Sequence, residues 1–349
     1  MPHPLTPAQR LQRAWLTRGP LAHALLPLAL AYGAVTALRR ALYRIGLLTT
    51  HTLQLPVIVV GNLIAGGAGK TPTVIAIVDA LRRTGRTPGI VSRGYGGSSE
   101  GLLDVTRAVP AALCGDEPLL MHIRSGAPLV VGRDRAGAAR RLLQLYPNVD
   151  VIVSDDGLQR LSLARDAQVV VFDERGAGNG WLLPAGPLRE ALPRVVPART
   201  LVLYNAARPS TPLPGSVARR SLAGVVALAD WWCGSSATIA ALDALRARTI
   251  VATAGLARPE RFFEMLCAHD LTITPLPLPD HHDYATLPWP PDTADVVLTE
   301  KDAIKLDPAR IGTTRVWVAP LDFALDAAFE AALIALLPPP GHHHGNSPA

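Results

Sequence analysis

A glycine-rich segment that ends in lysine and threonine is the clearest chemical signature in the sequence. It follows an apolar run at 57–60 and precedes a stretch long enough for a helix. In a strand–loop–helix arrangement, glycines let backbone N–H groups converge on phosphate oxygens, and the helix dipole strengthens the attraction. The lysine can reach the β- and γ-phosphates, while the threonine hydroxyl can bind Mg²⁺. The residues predicted to bind a nucleotide in this way are Gly66, Gly67, Ala68, Gly69, Lys70 and Thr71.

This loop departs from the strict phosphate-loop pattern at one position. The pattern G-x-x-x-x-G-K-[ST] requires glycine where this chain has Ile64. A related loop, KGGxGKT, is used by partner-sensing ATPases and has lysine where this chain has Ala65. The second difference disfavours a partner-sensing ATPase. The strand–loop–helix context favours a nucleotide site over a glycine-rich turn without a ligand.

Paired carboxylates follow another apolar run, at 149–153. Asp155 and Asp156 stand at its end and are followed by glycine. An acid at the carboxyl end of a strand, next to a phosphate loop, is the expected place for a side chain near Mg²⁺. The alternative is that both acids belong to a surface turn.

Two further polar clusters could assist a proton transfer. Asp116 and Glu117 precede a helical stretch, where they could either cap the helix or take part in catalysis. Asp280 and His281 follow alternating prolines and could form a polar turn. A histidine polarised by a carboxylate is, however, a standard arrangement for taking a proton from a hydroxyl.

Transfer of a phosphoryl group to an alcohol also requires cations around the transferring group. Lys70 and Mg²⁺ would supply two of them. Arg93, in the segment Ser-Arg-Gly-Tyr-Gly, and Arg189, in Gly-Pro-Leu-Arg-Glu, are the candidates for an arginine in the same role.

Short β-branched runs that alternate with helix-length stretches must position these residues. Such runs predict a parallel sheet covered by helices on both faces. The predicted fold is therefore an α/β domain of the P-loop NTPase type with a doubly wound, mostly parallel sheet, followed by a second, smaller α/β lobe. Proline and arginine crowd between 184 and 214, which places a boundary near residue 200. The predicted regions are an N-terminal helical region at 1–50, a phosphate-loop domain at 51–200, the smaller lobe at 201–337 and a disordered tail at 338–349.

The N-terminal region contains an apolar run at 21–38 with arginines on both sides. The run is near the lower limit of length for a membrane span and is interrupted by His23 and Pro27. Basic residues beside an apolar helix are attracted to an anionic membrane surface. The sequence favours a membrane-associating helix in the interface over a helix packed only on the protein or a true span.

Composition narrows the classes of partner. The formal charge is +6 and nearly half of the residues are apolar, which favours a large core and anionic partners such as nucleotides or phospholipid headgroups. No aromatic-and-basic nucleic-acid module occurs, so nucleic acid is not an expected partner. Cys114, Cys233 and Cys267 are odd in number and widely spaced, which fits a reducing cytosol better than disulfides or zinc.

Several ordered motifs together make the chain resemble the tetraacyldisaccharide 4′-kinase family of lipid A biosynthesis. They span residues 57 to 305 and are highly specific as a set, although GGxGKTP alone is only moderately so. The Ile64 departure agrees with the loop of that family. The motifs are GNLIAGGAGKTP, SRGYGG, GDEP, SDDGLQ, GPLRE, the PDHH segment and TEKDAIK.

The resemblance implies a role for each matching residue. Asp116 is similar to the catalytic aspartate of the family, acting in a dyad with the histidine at His281; His282 is a weaker candidate. Glu117, with one or both of Asp155 and Asp156, is similar to the acids placed around Mg²⁺. The remaining motif residues that line the active site of the family correspond to Arg93, Tyr95, Arg189 and Glu190.

The family also implies the partners and the location. The cofactors would be ATP and Mg²⁺, and the acceptor would be an acylated glucosamine disaccharide phosphate lipid. The chain would then work at the cytoplasmic face of the bacterial inner membrane, held at that leaflet by the N-terminal helix.

Two other classes of protein stay open at this point. One is a P-loop ATPase or GTPase that acts as a switch or metallochaperone, although the chain has no CxxC pair and no convincing N-K-x-D motif. The other is a non-catalytic nucleotide-binding module at a membrane, which would leave the paired acids and the Asp-His segment unexplained.

Overall fold

The computed structural model describes residues 7–256, 258–280 and 282–339. Its strands are β1 (Val57–Gly61), β2 (Pro88–Ser92), β3 (Leu103–Asp104), β4 (Leu129–Val131), β5 (Val151–Asp155), β6 (Ala167–Phe172), β7 (Thr200–Tyr204), β8 (Ser216–Val217), β9 (Arg219–Leu222), β10 (Val226–Ala227), β11 (Thr249–Ala254), β12 (Thr272–Pro277), β13 (Asp295–Thr299), β14 (Arg315–Ala319) and β15 (Leu321–Ala324). Its helices are α1 (Pro7–Ala14), α2 (Pro20–Ala24), α3 (Leu26–Arg44), α4 (Lys70–Arg83), α5 (Ala111–Cys114), α6 (Asp116–Ser125), α7 (Arg135–Leu145), α8 (Leu228–Trp232), α9 (Ile239–Asp243), α10 (Glu260–Cys267), α11 (Glu300–Ala303) and α12 (Ala327–Ala335), with a 3₁₀ turn at Pro308–Arg310.

An eight-stranded sheet forms the first lobe, in the order β3-β4-β2-β5-β1-β6-β7-β8. All neighbouring strands are parallel except the edge pair β3–β4. Alternate residues of β1 face opposite cores: Ile58 belongs to the core that includes residues of α4 and α6, and Val59 to the core that includes residues of α7. The prediction of a doubly wound, mostly parallel sheet is confirmed, because continuous apolar strands need helices on both faces.

The position of β1 explains why the predicted polar residues meet. It lies between β5 and β6, and Val60 is in register with Asp155 on one side and Val169 on the other. The chain after these three strands therefore emerges at one edge of the sheet. In open α/β sheets, ligands bind outside the carboxyl ends of the strands where the strand order reverses.

A second lobe is built on a five-stranded sheet in the order β10-β14-β13-β11-β12, parallel except for β10–β14. The antiparallel pair β9–β15 forms a separate two-stranded sheet between the lobes. The first sheet extends to Val217, beyond the boundary expected near residue 200, because β7 and β8 add to its edge. Helix α12 also contacts α4 and β7, so the end of the described chain returns to the first lobe.

From residue 7 onward, the described part of the N-terminal region forms three helices rather than one continuous helix. The apolar run at 21–38 divides at Leu25, where α3 begins with Pro27 in its first turn. Proline suits that position because its missing N–H has no intrahelical partner there. Of the helices that the structure describes, none combines the length and apolarity that a bilayer span needs. Residues 340–349, most of the tail predicted to be disordered, lie outside the described part of the chain.

Candidate functional site

The glycine-rich loop connects β1 to α4 and begins the helix at Lys70. Gly66 and Gly69 both have φ of +90°, a backbone conformation that glycine adopts without strain. The buried Asn62 donates from Nδ2 to the Gly66 carbonyl at 2.8 Å, which closes the loop across its base. The strand–loop–helix prediction is confirmed at this point of the chain.

Residues after β6 and β7 hold the outer part of the loop. Arg175 donates to the carbonyls of Ala65, at 3.2 Å, and Gly67, at 2.7 Å. The buried Asp173 pairs with Arg175 at 2.8 Å. Asn205 donates to the carbonyl of the third loop residue, Ala68, at 3.1 Å. These supports are not among the residues predicted from the sequence, although Asp173 and Asn205 each directly follow an observed strand, β6 and β7.

Asp156 lies between Lys70 of the loop and Arg189, one of the two arginines predicted to act in the site. Its Oδ1 lies 3.5 Å from Lys70 Nζ and 3.3 Å from Arg189 Nη1. Burial opposes ionisation of this carboxyl, but the cations of Lys70 and Arg189 outweigh it and lower the pKa of Asp156. Its φ of +48° is uncommon for a residue with a side chain, and such strain often accompanies functional sites.

Asp155 is buried at the end of β5. Its Oδ2 accepts a hydrogen bond from the Ser92 hydroxyl at 2.8 Å, whereas its Oδ1 is buried without a hydrogen-bond partner. Burial, reinforced by the negative charge of Glu117, raises the pKa of Asp155 to about 6. A buried carboxylate oxygen with another acid nearby suits a cation with hard oxygen ligands.

Asp116 and Glu117 form the first turn of α6. Gly115 occupies the N-cap position, so neither acid is the N-cap residue; both lie in the first turn, where the helix dipole also favours a negative charge. Gly115 has φ of +95°, and a Cβ there would lie 2.5 Å from the Tyr95 carbonyl oxygen. The GDEP and SRGYGG segments therefore pack backbone against backbone. This contact brings Asp116 and Arg93 to the same part of the fold.

The second lobe approaches these acids through the TEKDAIK segment. Lys305 Nζ lies 3.0 Å from Asp116 Oδ2, and Lys301 Nζ lies 4.0 Å from Glu117 Oε1. Lys305 also donates to the His282 carbonyl at 2.9 Å. His281, the predicted partner of Asp116, lies outside the described residues. The TEKDAIK motif by itself does not indicate what its lysines do.

A cavity of about 660 Å³ opens between the two lobes. It is lined by the predicted phosphate-loop residues and by Glu117, Asp155, Asp156, Arg93, Tyr95 and Arg189. The second lobe contributes Arg258, Phe262 and Lys301 to its wall. Asp116 and Glu190, both within the described chain, are not among its lining residues. Glu190 instead forms an ion pair with Arg40 of α3, so it connects the N-terminal helix to the site.

A smaller recess of about 220 Å³ adjoins this cavity and is rich in arginine. Three of its side chains come from predicted site residues: Arg93, Asp156 and Arg189. The recess is completed by residues that sequence reasoning did not single out, namely Arg39, Gln159 and Arg160. An anionic group is the ligand that such a lining would attract.

The chain is similar to proteins of one family over almost its full length. The family model described as tetraacyldisaccharide-1-P 4′-kinase matches residues 21–338. Tetraacyldisaccharide 4′-kinase of Methylibium petroleiphilum is 57% identical, with 94% of this chain and 93% of that protein covered. The enzyme of the same name from Leptothrix cholodnii is 56% identical, with 95% and 96% covered. The solved structure of LpxK from Aquifex aeolicus in complex with ATP matches with a TM-score of 0.74 and 26% identity, covering 91% of this chain and 99% of that one.

Proposed function

Since the chain belongs to the tetraacyldisaccharide-1-P 4′-kinase family, we propose that it transfers the γ-phosphate of ATP to the 4′-hydroxyl of a tetraacyldisaccharide 1-phosphate. The product would be the 1,4′-bisphosphate. The observation that carries this proposal is the convergence of the phosphate loop, the acids after β5 and two arginines on one cavity. Phosphoryl transfer depends mainly on positioning and on neutralising charge, and these are the groups that do so.

The donor is proposed to bind with its phosphates on the loop 66–71. Lys70 would contact the β- and γ-phosphates, and its present partner Asp156 lies within 3.5 Å. Arg93 and Arg189 line both the cavity and the adjoining recess, so they would face the group in transfer from the acceptor side. Their charge would stabilise the transition state more than the bound ATP.

Magnesium is the proposed metal, and the oxygen ligands at the cavity fit it. Thr71, Asp155, Asp156 and Glu117 are the residues that would hold the ion. Among the described residues no three His, Cys, Asp or Glu side chains form a metal cluster by themselves. Magnesium commonly takes only one or two carboxylates and fills its other positions with phosphate oxygens and water. When bound, it neutralises charge on the β- and γ-phosphates.

Asp116 and His281 are proposed as the dyad that accepts the proton of the 4′-hydroxyl. The carboxylate of Asp116 lies at the start of α6, beside the metal-site candidate Glu117 and 3.0 Å from Lys305. An acid oriented by nearby groups can hold a histidine in the tautomer that takes a proton from an alcohol.

The acceptor is proposed to be a membrane lipid that reaches the site from the side of α3. One face of α3 packs on the protein, and the opposite face exposes apolar side chains; Leu30 is 73% exposed, Val35 66% and Leu38 61%. This face leads to Arg39, which lines the recess. Apolar side chains in the acyl region and arginines at headgroup level suit binding at the cytoplasmic leaflet of the inner membrane.

A single assay separates the candidate functions. Radiolabelled ATP is incubated with lipid-linked disaccharide 1-phosphate, and the lipids are then separated. Label in the lipid supports the kinase. Phosphate release without labelled lipid would support an ATPase switch, and no turnover would support a binding module. Asp116→Ala and His281→Ala should each lower kcat at least 100-fold, on the order expected for loss of acid–base catalysis, with little change in ATP binding.

The matched control for Asp116→Ala is Asp243→Ala, which removes an exposed acid of the second lobe. It should retain full activity. Wild-type turnover in both dyad variants would overturn the assignment of the base.

For the membrane proposal, deletion of residues 1–46 should weaken sedimentation with anionic vesicles more than ATP binding. Unchanged sedimentation would contradict it.

A further inference from the structure

We propose that Lys301 and Lys305 are positioning residues that fasten the second lobe to the acids of α6 and so assemble the transfer site. The two lysines with Asp116 and Glu117 are named here the lysine clasp. This inference rests on the proposed function, because the clasp is proposed to set the relative position of the two members of the proton-accepting dyad. Neither lysine is proposed to react with the substrate.

The distribution of lysine in the chain first indicates that these positions are special. Of the 34 basic side chains, 31 are arginine and only three are lysine. The three are Lys70, Lys301 and Lys305, and all three lie at the cavity or at the acids beside it. Arginine serves every other basic position. Lysine differs from arginine in carrying a compact ammonium with three donors on a flexible stem.

Lys305 joins the two lobes through two short contacts. Its Nζ lies 3.0 Å from Asp116 Oδ2 in the first lobe and donates to the His282 carbonyl at 2.9 Å in the second. The side chain is only 7% exposed, so water screens the pair weakly. A single ammonium can satisfy a carboxylate and a carbonyl that lie in different directions.

Lys301 makes a longer and weaker connection four residues earlier. Its Nζ lies 3.3 Å from Asp280 Oδ1 and 4.0 Å from Glu117 Oε1. Each lysine thus lies within 4.0 Å of one acid of α6 and within 3.3 Å of one residue that neighbours position 281 in the sequence. The i, i+4 spacing places both on one face of the turn that begins with α11.

Buried contacts keep this turn in place. Asp302 is fully buried and accepts hydrogen bonds from the Gly255 N–H, at 3.1 Å to either oxygen, and from the Thr299 hydroxyl at 2.6 Å. The first residue of α11, Glu300, pairs with Arg124 in the last turn of α6 and accepts from Trp231 Nε1 at 3.0 Å. The turn consequently runs antiparallel to α6, with ion pairs at both ends.

Two consequences follow from this arrangement. Separation of the lobes would break both lysine contacts together, so closure and assembly of the dyad are coupled. Removal of the Lys305 ammonium would break the contact that Asp116 shares with the segment around His282. A misplacement of about 1 Å at a reacting group costs on the order of 100-fold in rate. The loss should appear in kcat, since the phosphate loop is held by other residues.

The test compares Lys305→Met, Lys301→Met and a matched control in the lipid-labelling assay. Arg246→Met is the control because Arg246 also bridges a carboxylate, Asp243 at 3.0 Å, and a carbonyl, His269 at 3.0 Å, but within the second lobe alone. Lys305→Met should lower kcat about 100-fold and Lys301→Met about 10-fold, with KM for ATP within about threefold of wild type. Arg246→Met should stay within about twofold on both.

A kcat for Lys305→Met within threefold of wild type would overturn the clasp, as would a loss seen only in KM for ATP. Lipid labelling by none of the proteins, wild type included, would refute the proposed function instead. In that case NMR of the full chain labelled with ¹⁵N at lysine Nζ still tests whether the clasp forms. The spectrum has only three lysine signals, because the sequence has three lysines. The Lys305 signal is assigned by elimination, from spectra of Lys70→Met and Lys301→Met. Asp116→Asn should shift this signal far more than it shifts the Lys70 signal. An unchanged Lys305 signal contradicts the clasp.

Discussion

Substitution of Gly69 by alanine tests how the phosphate loop is held. The backbone at Gly69 has φ of +90°, and a Cβ there would overlap Nδ2 of Asn205 and lie 2.7 Å from its Cγ. An L-residue in this conformation costs roughly 1–3 kcal/mol. Displacement of Asn205 also loses its 3.1 Å hydrogen bond to Ala68, worth about 1 kcal/mol. The combined loss of about 3 kcal/mol corresponds to roughly 6–12 °C in the melting temperature of a lobe of this size.

The assay is a double-mutant cycle on the nucleotide-free protein, followed by its melting temperature. Asn205→Ala removes the atoms that a Cβ at position 69 would meet, so Gly69→Ala should cost less in that background, by roughly 1–2 kcal/mol. Gly67→Ala is the control in the same loop, because a Cβ at Gly67 would meet no other part of the protein within 4 Å. Its melting temperature should stay close to that of wild type. Additive effects of Gly69→Ala and Asn205→Ala would refute the proposed steric coupling.

Three further predictions concern the acids, the loop and the membrane face. Burial and Glu117 raise the pKa of Asp155 from 3.8 to about 6, so its contribution to stability is present below about pH 4 and lost as pH rises through about 6. The melting-temperature advantage of Asp155→Asn over metal-free wild type should therefore grow from about pH 4 to 7. Arg175→Met should weaken ATP binding about tenfold in calorimetry, because two loop carbonyls lose their donor. Leu30→Glu should reduce sedimentation with anionic vesicles at an unchanged melting temperature, since Leu30 is 73% exposed.

Each of these predictions has a result that contradicts it. Parallel melting curves against pH for wild type and Asp155→Asn would show that burial does not disfavour the charged carboxylate. For Arg175→Met, unchanged ATP affinity would mean that the loop keeps its shape without the arginine. Equal vesicle binding by Leu30→Glu and wild type would show that the apolar face of α3 does not enter the membrane interface.

Local patterns were sufficient to predict the donor half of the site. The phosphate loop combines strand, glycines, lysine and helix within a few residues, so its structure depends on short-range contacts. The sequence predicts a role for Asp155 and Asp156 because they follow an apolar run with only Ser154 between. The parallel sheet followed from the same runs, since strands buried on both faces must be apolar throughout.

The lobe boundary and the role of Glu190 could not be read from such patterns. Strands β7 and β8 join the first sheet by pairing along its edge, and proline content between them does not report that pairing. Glu190 stands beside Arg189 in the sequence, yet it pairs with Arg40 of α3. Arg189, by contrast, lines the cavity. Adjacent residues can point to different partners because the chain turns between them.

The sequence by itself determined which residue types the chemistry would use: a phosphate loop, acids after a strand, two arginines and an Asp-His segment. Only the tertiary structure decided how they are held. Asp173, Arg175 and Asn205 support the loop from strands more than 100 residues away. Lys301 and Lys305 reach acids of α6 across the junction between the lobes. Such contacts depend on strand order and lobe packing, which are set by burial over the whole chain rather than by the identity of neighbouring residues.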